Sequence, residues 1–385
     1  MSGSAYYDVL VAGAGVAGCL VAGRLSASGR RVLLLHEQRP QRPRLGEFLS
    51  ARARIAIDRL RVMAPGWEAA YAEAGEFVSC WGSSDPVVRN FLFDPFGQSL
   101  ILDRGHFDQA LLTAARQNGC ELVDTIPPLG VTRSDGGWNV AFNDSGRTRA
   151  VTSPFLILCG GRTARRIAAL HTKRHRVDKL VCFGMRVSNY QGDRRPAVET
   201  YDNGWAYSVG LPGGELMINL FTESNPQSNR RISGSPDFLL REIASCPITR
   251  SRALLSNPGD RADVETFVAD ASSAQCRPVT GPGWCLAGDQ AQSMDPLSSS
   301  GILQAARHAQ SITDSILDAA SIESIDLTRY VADLDMSYDS FLSTRHDVYG
   351  IERRWSSPFW SRRSRAGSTG EPTHDVRADR GSLSR

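Results

Sequence analysis

Apolar runs and the turns between them divide the chain before any chemistry is considered. Tyr7–Ala12 is a short continuous apolar run and reads as a buried strand. Gly15–Ser28 follows with helical spacing, and Arg31–Leu35 reads as a second, parallel strand. Arg39–Glu47, which holds Pro40 and Pro43, reads as loop. In Ser50–Val62 the apolar positions Ile55, Ile57 and Leu60 lie opposite arginines, as on a helix. Short strands are expected around Phe77–Trp81, Asn90–Phe93 and Ser99–Leu102. Asp103–Asn118 is predicted helical, opened by an aspartate cap and closed by Gly119. Glu121–Val123, Val131–Arg133, Trp138–Phe142 and Arg147–Val151 follow. The turns Asp135-Gly136-Gly137 and Asp144-Ser145-Gly146 make the last three a meander. Phe155–Cys159 is another buried strand.

From Leu180 to about Phe267 the pattern changes to alternating strands with hairpin turns: Leu180–Val187, Ala197–Tyr201, Trp205–Leu211 and Glu215–Phe221. A helix is expected near Asp237–Ile243. Trp284–Ala287 returns to a buried strand, and helices follow at Gly301–Ala319 and Leu327–Thr344. From Ser361 the chain is Arg, Ser, Gly and Asp with almost nothing apolar, which predicts a disordered tail.

The 385 residues are 41% apolar and 22% charged with a formal charge of +3, an ordinary globular balance without the basic block of a nucleic-acid binder. No apolar run is long enough to span a membrane. Asp8 and two tyrosines stand where a signal peptide would be basic. The eight cysteines form no CxxC pair and sit mostly in apolar runs, so buried thiols and a cytoplasmic setting are expected. His36, His106, His171 and His175 read as surface or packing residues, and no spacing suggests a metal site. Of 44 basic residues only Lys173 and Lys179 are lysines.

Gly13-Ala14-Gly15-Val16-Ala17-Gly18 is GxGxxG directly after a strand and at the start of a helix. Gly13 permits the tight turn, Gly15 lets the backbone approach a pyrophosphate, and Gly18 allows close helix–strand packing. The second strand ends at His36-Glu37. Glu37, or His36 one residue earlier, stands where a residue would meet the adenosine ribose. The fold class expected is α/β: a Rossmann-type domain with an inserted, mostly antiparallel sheet. The nucleotide-binding domain is assigned residues 1–75, 98–178 and 270–325, and the inserted domain 76–97 and 179–269. A helical segment covers 326–360 and the tail 361–385.

A nicotinamide enzyme could begin the same way; the far end of the chain separates the two. Ala287-Gly288-Asp289 ends an apolar strand, and Asp295-Pro296-Leu297-Ser298-Ser299-Ser300-Gly301 follows. This resembles the late motif of the FAD-dependent aromatic hydroxylase superfamily, which includes p-hydroxybenzoate hydroxylase, flavin halogenases and geranylgeranyl reductases. The resemblance implies that Asp289 bonds the FAD ribitol and that Pro296 and Gly301 pass the flavin ring at a helix start. Asp103-Arg104 through Leu111 is similar to the superfamily's Asp-Arg helix, whose arginine, here Arg104, faces the cofactor phosphates.

Gly46-Glu47-Phe48 resembles the Gly-Glu-Ser motif of halogenases, with Phe48 in place of the small residue. Cys80-Trp81-Gly82-Ser83, Gly204–Pro212 and Asp295–Gly301 together resemble the halogenase-like flavoproteins that mature quinone-cofactor enzymes. Ser300 stands where those relatives often carry a different polar residue. That resemblance implies hydroxylation of an aromatic ring through a flavin C4a-hydroperoxide, the ring being a tryptophan of a quinoprotein precursor. Hydroxylation of a free small aromatic, halogenation and isoprenoid reduction are the alternatives. Halogenases use a lysine between the Gly-Glu-Ser loop and the Asp-Arg helix, and this chain has none before Lys173; the Trp-x-Trp-x-Ile-Pro motif is missing too. Arginine is a poor substitute, since it keeps its proton and differs in shape. Glu47 is the acid/base or orienting candidate; it also reads as a loop carboxylate that pairs with Arg44 or caps the next helix. Trp81, Trp205 and Tyr207 are candidates to line the substrate cavity, or core aromatics of their strands. With no second GxGxxG, electrons are expected from transiently bound NAD(P)H or from a separate flavin reductase.

Overall fold

The computed structural model of the chain describes residues 5–37, 45–134, 136–164, 167–224, 236–255 and 264–364. Val9–Ala12, Val32–Glu37, Phe155–Leu158 and Trp284–Leu286 are apolar on both faces over nearly their whole length, as a parallel strand between helices must be. They pair in parallel with one another and with the start of Glu121–Ser134. The long strand Glu121–Ser134 then continues into an antiparallel meander with Gly137–Asp144 and Arg147–Ser153. The helices are α1 (Val16–Ala27), α2 (Ala51–Leu60), α3 (Arg104–Gln117), α4 (Pro236–Glu242), α5 (Pro247–Leu255), α6 (Gly301–Asp318), α7 (Thr328–Ile351) and α8 (Pro358–Ser364). α1 packs against α3 and α6 beside the parallel strands.

The second large sheet runs Val264–Asp270, Leu180–Val187, Glu215–Glu223, Gly204–Leu211, Ala197–Tyr201, Glu76–Cys80, Val87–Asn90 among the described residues. It is antiparallel except where Ala197–Glu199 runs beside Val78–Cys80. Strand alternation divides its residues between two faces. Phe183, Ala206, Ile218 and Leu220 pack with Leu239 and Ile243 beneath α4, and Ala253 of α5 joins the same cluster. Trp205 and Tyr207, with their cross-strand partners Phe221 and Asn219, look the other way, toward the nucleotide-binding half.

The strand expected at Asn90–Phe93 lies at Val87–Asn90, and three helical features also differ from the sequence reading. α5 lies where no helix was expected. α7 runs on past Thr344 to Ile351, which buries Tyr349. The expected tail does not begin at Ser361: α8 extends to Ser364, with Phe359, Trp360 and Arg363 buried. Tertiary contacts hold it, since the Trp360 indole donates to the Tyr201 carbonyl at 2.9 Å and Arg363 lies 4.0 Å over the Phe359 ring. The rest of that tail, residues 365–385, lies outside the described residues, as do 38–44 of the proline loop. All eight cysteines are buried and none forms a disulfide. No helix among the described residues is long and apolar enough to cross a membrane.

Candidate active-site cleft

A cleft of about 720 Å³ runs between the glycine turn and the inner face of the second sheet, a size suited to a large organic ligand. At one end lie Gly13–Ala17, then His36 and Glu37. Gly13 has a φ of +111°, and a Cβ there would meet the Cys159 carbonyl oxygen at 2.5 Å. Gly18 faces away from the cleft, and a Cβ on it would collide with the Gly13 carbonyl oxygen. Gly15 is different: a Cβ would touch nothing of the protein and would project into open space. No side chain caps α1, so its first N–H groups are left for an anion. The His36 imidazole is bonded to Asp124 at 2.9 Å.

Farther along, Asp289 accepts from Arg162 Nε at 3.1 Å, and the same guanidinium donates to the carbonyls of Ser272 and Met294. Gly301 starts α6, which no side chain caps, and the space beside Gly301 is likewise open. Arg104 lines the cleft wall, where its guanidinium donates to the Leu45 carbonyl and to Asp108.

The far end is built on strand alternation. Trp205 and Phe221 stack at 3.8 Å, and Tyr207 lies opposite Asn219. Glu47 enters from the loop before Phe48–Leu49 and is 3% exposed. Its Oε2 accepts from the Gly46 N–H at 3.2 Å, while Oε1 has no hydrogen-bond partner. Burial raises its pKa against the opposing pull of Arg104. The Tyr207 hydroxyl is also buried without a partner, and burial followed by the Glu47 charge raises its pKa. Such orphaned atoms are costly in a folded core, and three residues lining this cavity carry one: Glu47, Tyr207 and Arg104, whose Nε is also without a partner. Ser50, not Glu47, caps α2, accepting from the Ala53 N–H.

No family model matches the chain. It is 27% identical over 366 residues to LodB of Marinomonas mediterranea, described as an FAD-dependent oxidoreductase; the match covers 93% of this chain and 96% of LodB. This protein is an FAD-dependent oxidoreductase. In sequence it is also similar, at 25% identity over 82% of this chain and 61% of the other, to the tryptophan 2-halogenase of Chondromyces crocatus. Its fold matches that of the myxobacterial chondrochloren halogenase CndH with a TM-score of 0.78 at 19% identity, over 95% of this chain and 87% of the other. It also matches the peptidyl tryptophan dihydroxylase QhpG, of tryptophylquinone cofactor biogenesis, at 0.75 and 22%, over 95% and 80%.

The flavoenzyme's cleft fits FAD by its own geometry: open space at Gly15 and Gly301 where a side chain would intrude, and two helix starts with no side-chain cap. Gly13–Ala17, Glu37, Glu47, Arg104, Trp205, Tyr207, Asp289, Pro296 and Gly301 all line it. Trp81 does not. It stands one residue past the strand Glu76–Cys80 and packs against Trp205, Tyr349 and Trp360, and its indole donates to the Val348 carbonyl at 2.7 Å. Sequence reading missed Arg162, Asn219 and Phe221, and read Asp295 as the start of the late motif without a role of its own. Phe221 and Asn219 were findable, since they alternate on a strand paired to Trp205 and Tyr207. Neither lysine lines the cleft; Lys173 borders a separate cavity of about 410 Å³.

Proposed function

We propose that this flavoenzyme hydroxylates an aromatic ring, and that the ring is a tryptophan of a partner polypeptide on its way to a quinone cofactor. The observation that carries the hydroxylation is the cleft's far end: a buried Glu47 carboxylate with one oxygen lacking a hydrogen bond, beside Tyr207, and no lysine ammonium. Among the described residues two arginines line the cleft, and both are engaged elsewhere, Arg104 through its terminal nitrogens with Leu45 and Asp108, Arg162 with Asp289 and two carbonyls. Similarity to LodB along almost the whole chain, together with the shared fold of QhpG, supports a protein-borne tryptophan.

In this reading the N-terminal turn of α1 holds the pyrophosphate, Glu37 the adenosine ribose and Asp289 the ribitol, with Arg104 toward the phosphates. Pro296 and Gly301 border the flavin ring. Bound FAD, once reduced, supplies with O₂ an electrophilic oxygen. Trp205 and Phe221, stacked on each other, form an apolar wall that positions the substrate ring and excludes water. The Glu47 carboxylate takes the proton that leaves the ring carbon after oxygen attack, and Tyr207 orients the substrate's polar edge. Electrons come from NAD(P)H or a separate reductase, and the setting is the cytoplasm, where thiols stay reduced.

The test supplies the FAD-loaded protein with NADH, a flavin reductase, bromide and, in parallel, a tryptophan-containing quinoprotein precursor polypeptide or free aromatic compounds. Mass spectrometry should show oxygen added to a precursor tryptophan. A brominated product, or an unmodified precursor alongside hydroxylated free aromatics, would overturn the reading.

A further inference from the structure

Tyr349, Trp81 and Trp360 take no part in the reaction above, yet they form a continuous set of oxidisable rings leading away from the cleft. Trp205, which lines the cleft, donates its indole N–H to the Tyr349 hydroxyl at 2.9 Å. That hydroxyl in turn donates to Asp295 Oδ2 at 2.8 Å. Trp81 stands edge-on to Trp205 with ring centres 6.3 Å apart, to Tyr349 at 5.6 Å and to Trp360 at 5.5 Å. Trp81 is only half-buried, so the set ends within reach of solvent. Two cations face the Tyr349 ring, Arg345 at 5.2 Å and Arg363 at 5.8 Å, and they oppose any positive charge left on it. Oxidation of Tyr349 is therefore tied to loss of its phenolic proton, and Asp295 is the acceptor already bonded to it.

We propose that Trp205, Tyr349 and Trp81 form an electron relay that drains oxidising equivalents from the cleft to the surface when they miss the substrate. Trp205 gives one electron to the oxidant, an oxygen-derived species formed in the cleft, which is reduced by that electron. Tyr349 refills Trp205 with one electron as its proton passes to Asp295. Trp81 then refills Tyr349, which recovers the proton, and a solution reductant such as ascorbate restores Trp81. The relay depends on bound FAD but not on which ring is the substrate, so its failure leaves the proposed reaction standing.

Light-excited FAD serves as the oxidant in the test. The FAD-loaded full-length protein is excited with a blue pulse while flavin emission and tryptophanyl and tyrosyl absorption are followed. The wild type should show quenched emission and a radical whose decay ascorbate accelerates. Trp205→Phe should lengthen the emission lifetime severalfold. Trp81→Phe should keep fast quenching but shorten the radical lifetime severalfold and abolish the ascorbate effect. Tyr349→Phe, which keeps the ring packing, should remove the tyrosyl band; it decides the matter if Trp205→Phe does not fold. Unquenched wild-type emission, or Trp81→Phe and Tyr349→Phe traces that superimpose on the wild type, would overturn the relay.

Discussion

With one carboxylate oxygen unpartnered and the group buried, Glu47 holds its proton to a higher pH than an ordinary glutamate. Below the unfolded pKa, about 4.3, it is neutral in both states and costs nothing. As pH rises through the raised folded value, the folded state must ionise a buried group, and stability is lost. Glu47→Gln should therefore raise the melting temperature at pH 8 and progressively less toward pH 5, which paired thermal scans would show. The same variant should lower hydroxylation by about a hundredfold or more, the range for a lost general base. It should also erase the acidic limb of the rate profile, because only the ionised form accepts a proton. The glycines separate two other roles. Gly18→Ala should destabilise the protein by about 1–3 kcal/mol in denaturant titration, since the added methyl overpacks α1 against the turn. Gly15→Val has open space around it, so it should leave stability near wild type and weaken FAD binding, as read by fluorescence titration.

Among the elements, α7 is tied to the cleft through a buried charge cluster. Arg345 bonds Asp295 at 3.3 Å and Asp178 at 3.0 Å, and the Asp295 side chain is fully buried. Desolvation raises the Asp295 pKa and Arg345 draws it back down. Arg345→Ala leaves that carboxylate buried and uncompensated, at an expected cost of about 3–5 kcal/mol. Calorimetry should show this as a lower unfolding midpoint at neutral pH. α7 was legible as a helix from its spacing, but its last two turns were not, because Tyr349 and Ile351 follow a polar stretch. α8 carries one apolar pair in an arginine- and serine-rich segment, and only the surface it packs on explains why it folds.

On the scale of the molecule, the cleft takes residues from the parallel strands' loops, the second sheet and the start of α6. A ligand there stabilises both halves at once. FAD at a hundredfold excess over its Kd should add about 2.7 kcal/mol, visible as one transition moving upward without splitting. The nucleotide-binding half was readable along the chain because its signals are local: an apolar strand, a glycine turn and a helix must follow one another in sequence. The same holds for Asp289, Pro296 and Gly301, whose motif lies on a single stretch, and for the scarcity of lysine. The aromatic end of the cleft was only partly readable. Period-two alternation puts Trp205 and Tyr207 on one face of their strand, but it does not say which face meets the cleft, and Trp81 stands just past the end of the strand expected to hold it. Sheet pairing placed Phe221 and Asn219 beside the first two, and the packing of α7 and α8 drew Trp81 into the cluster behind them. Sequence determined what is encoded by neighbours along the chain. Tertiary structure decided what depends on residues far apart, because facing and burial are set by the surface each element finds.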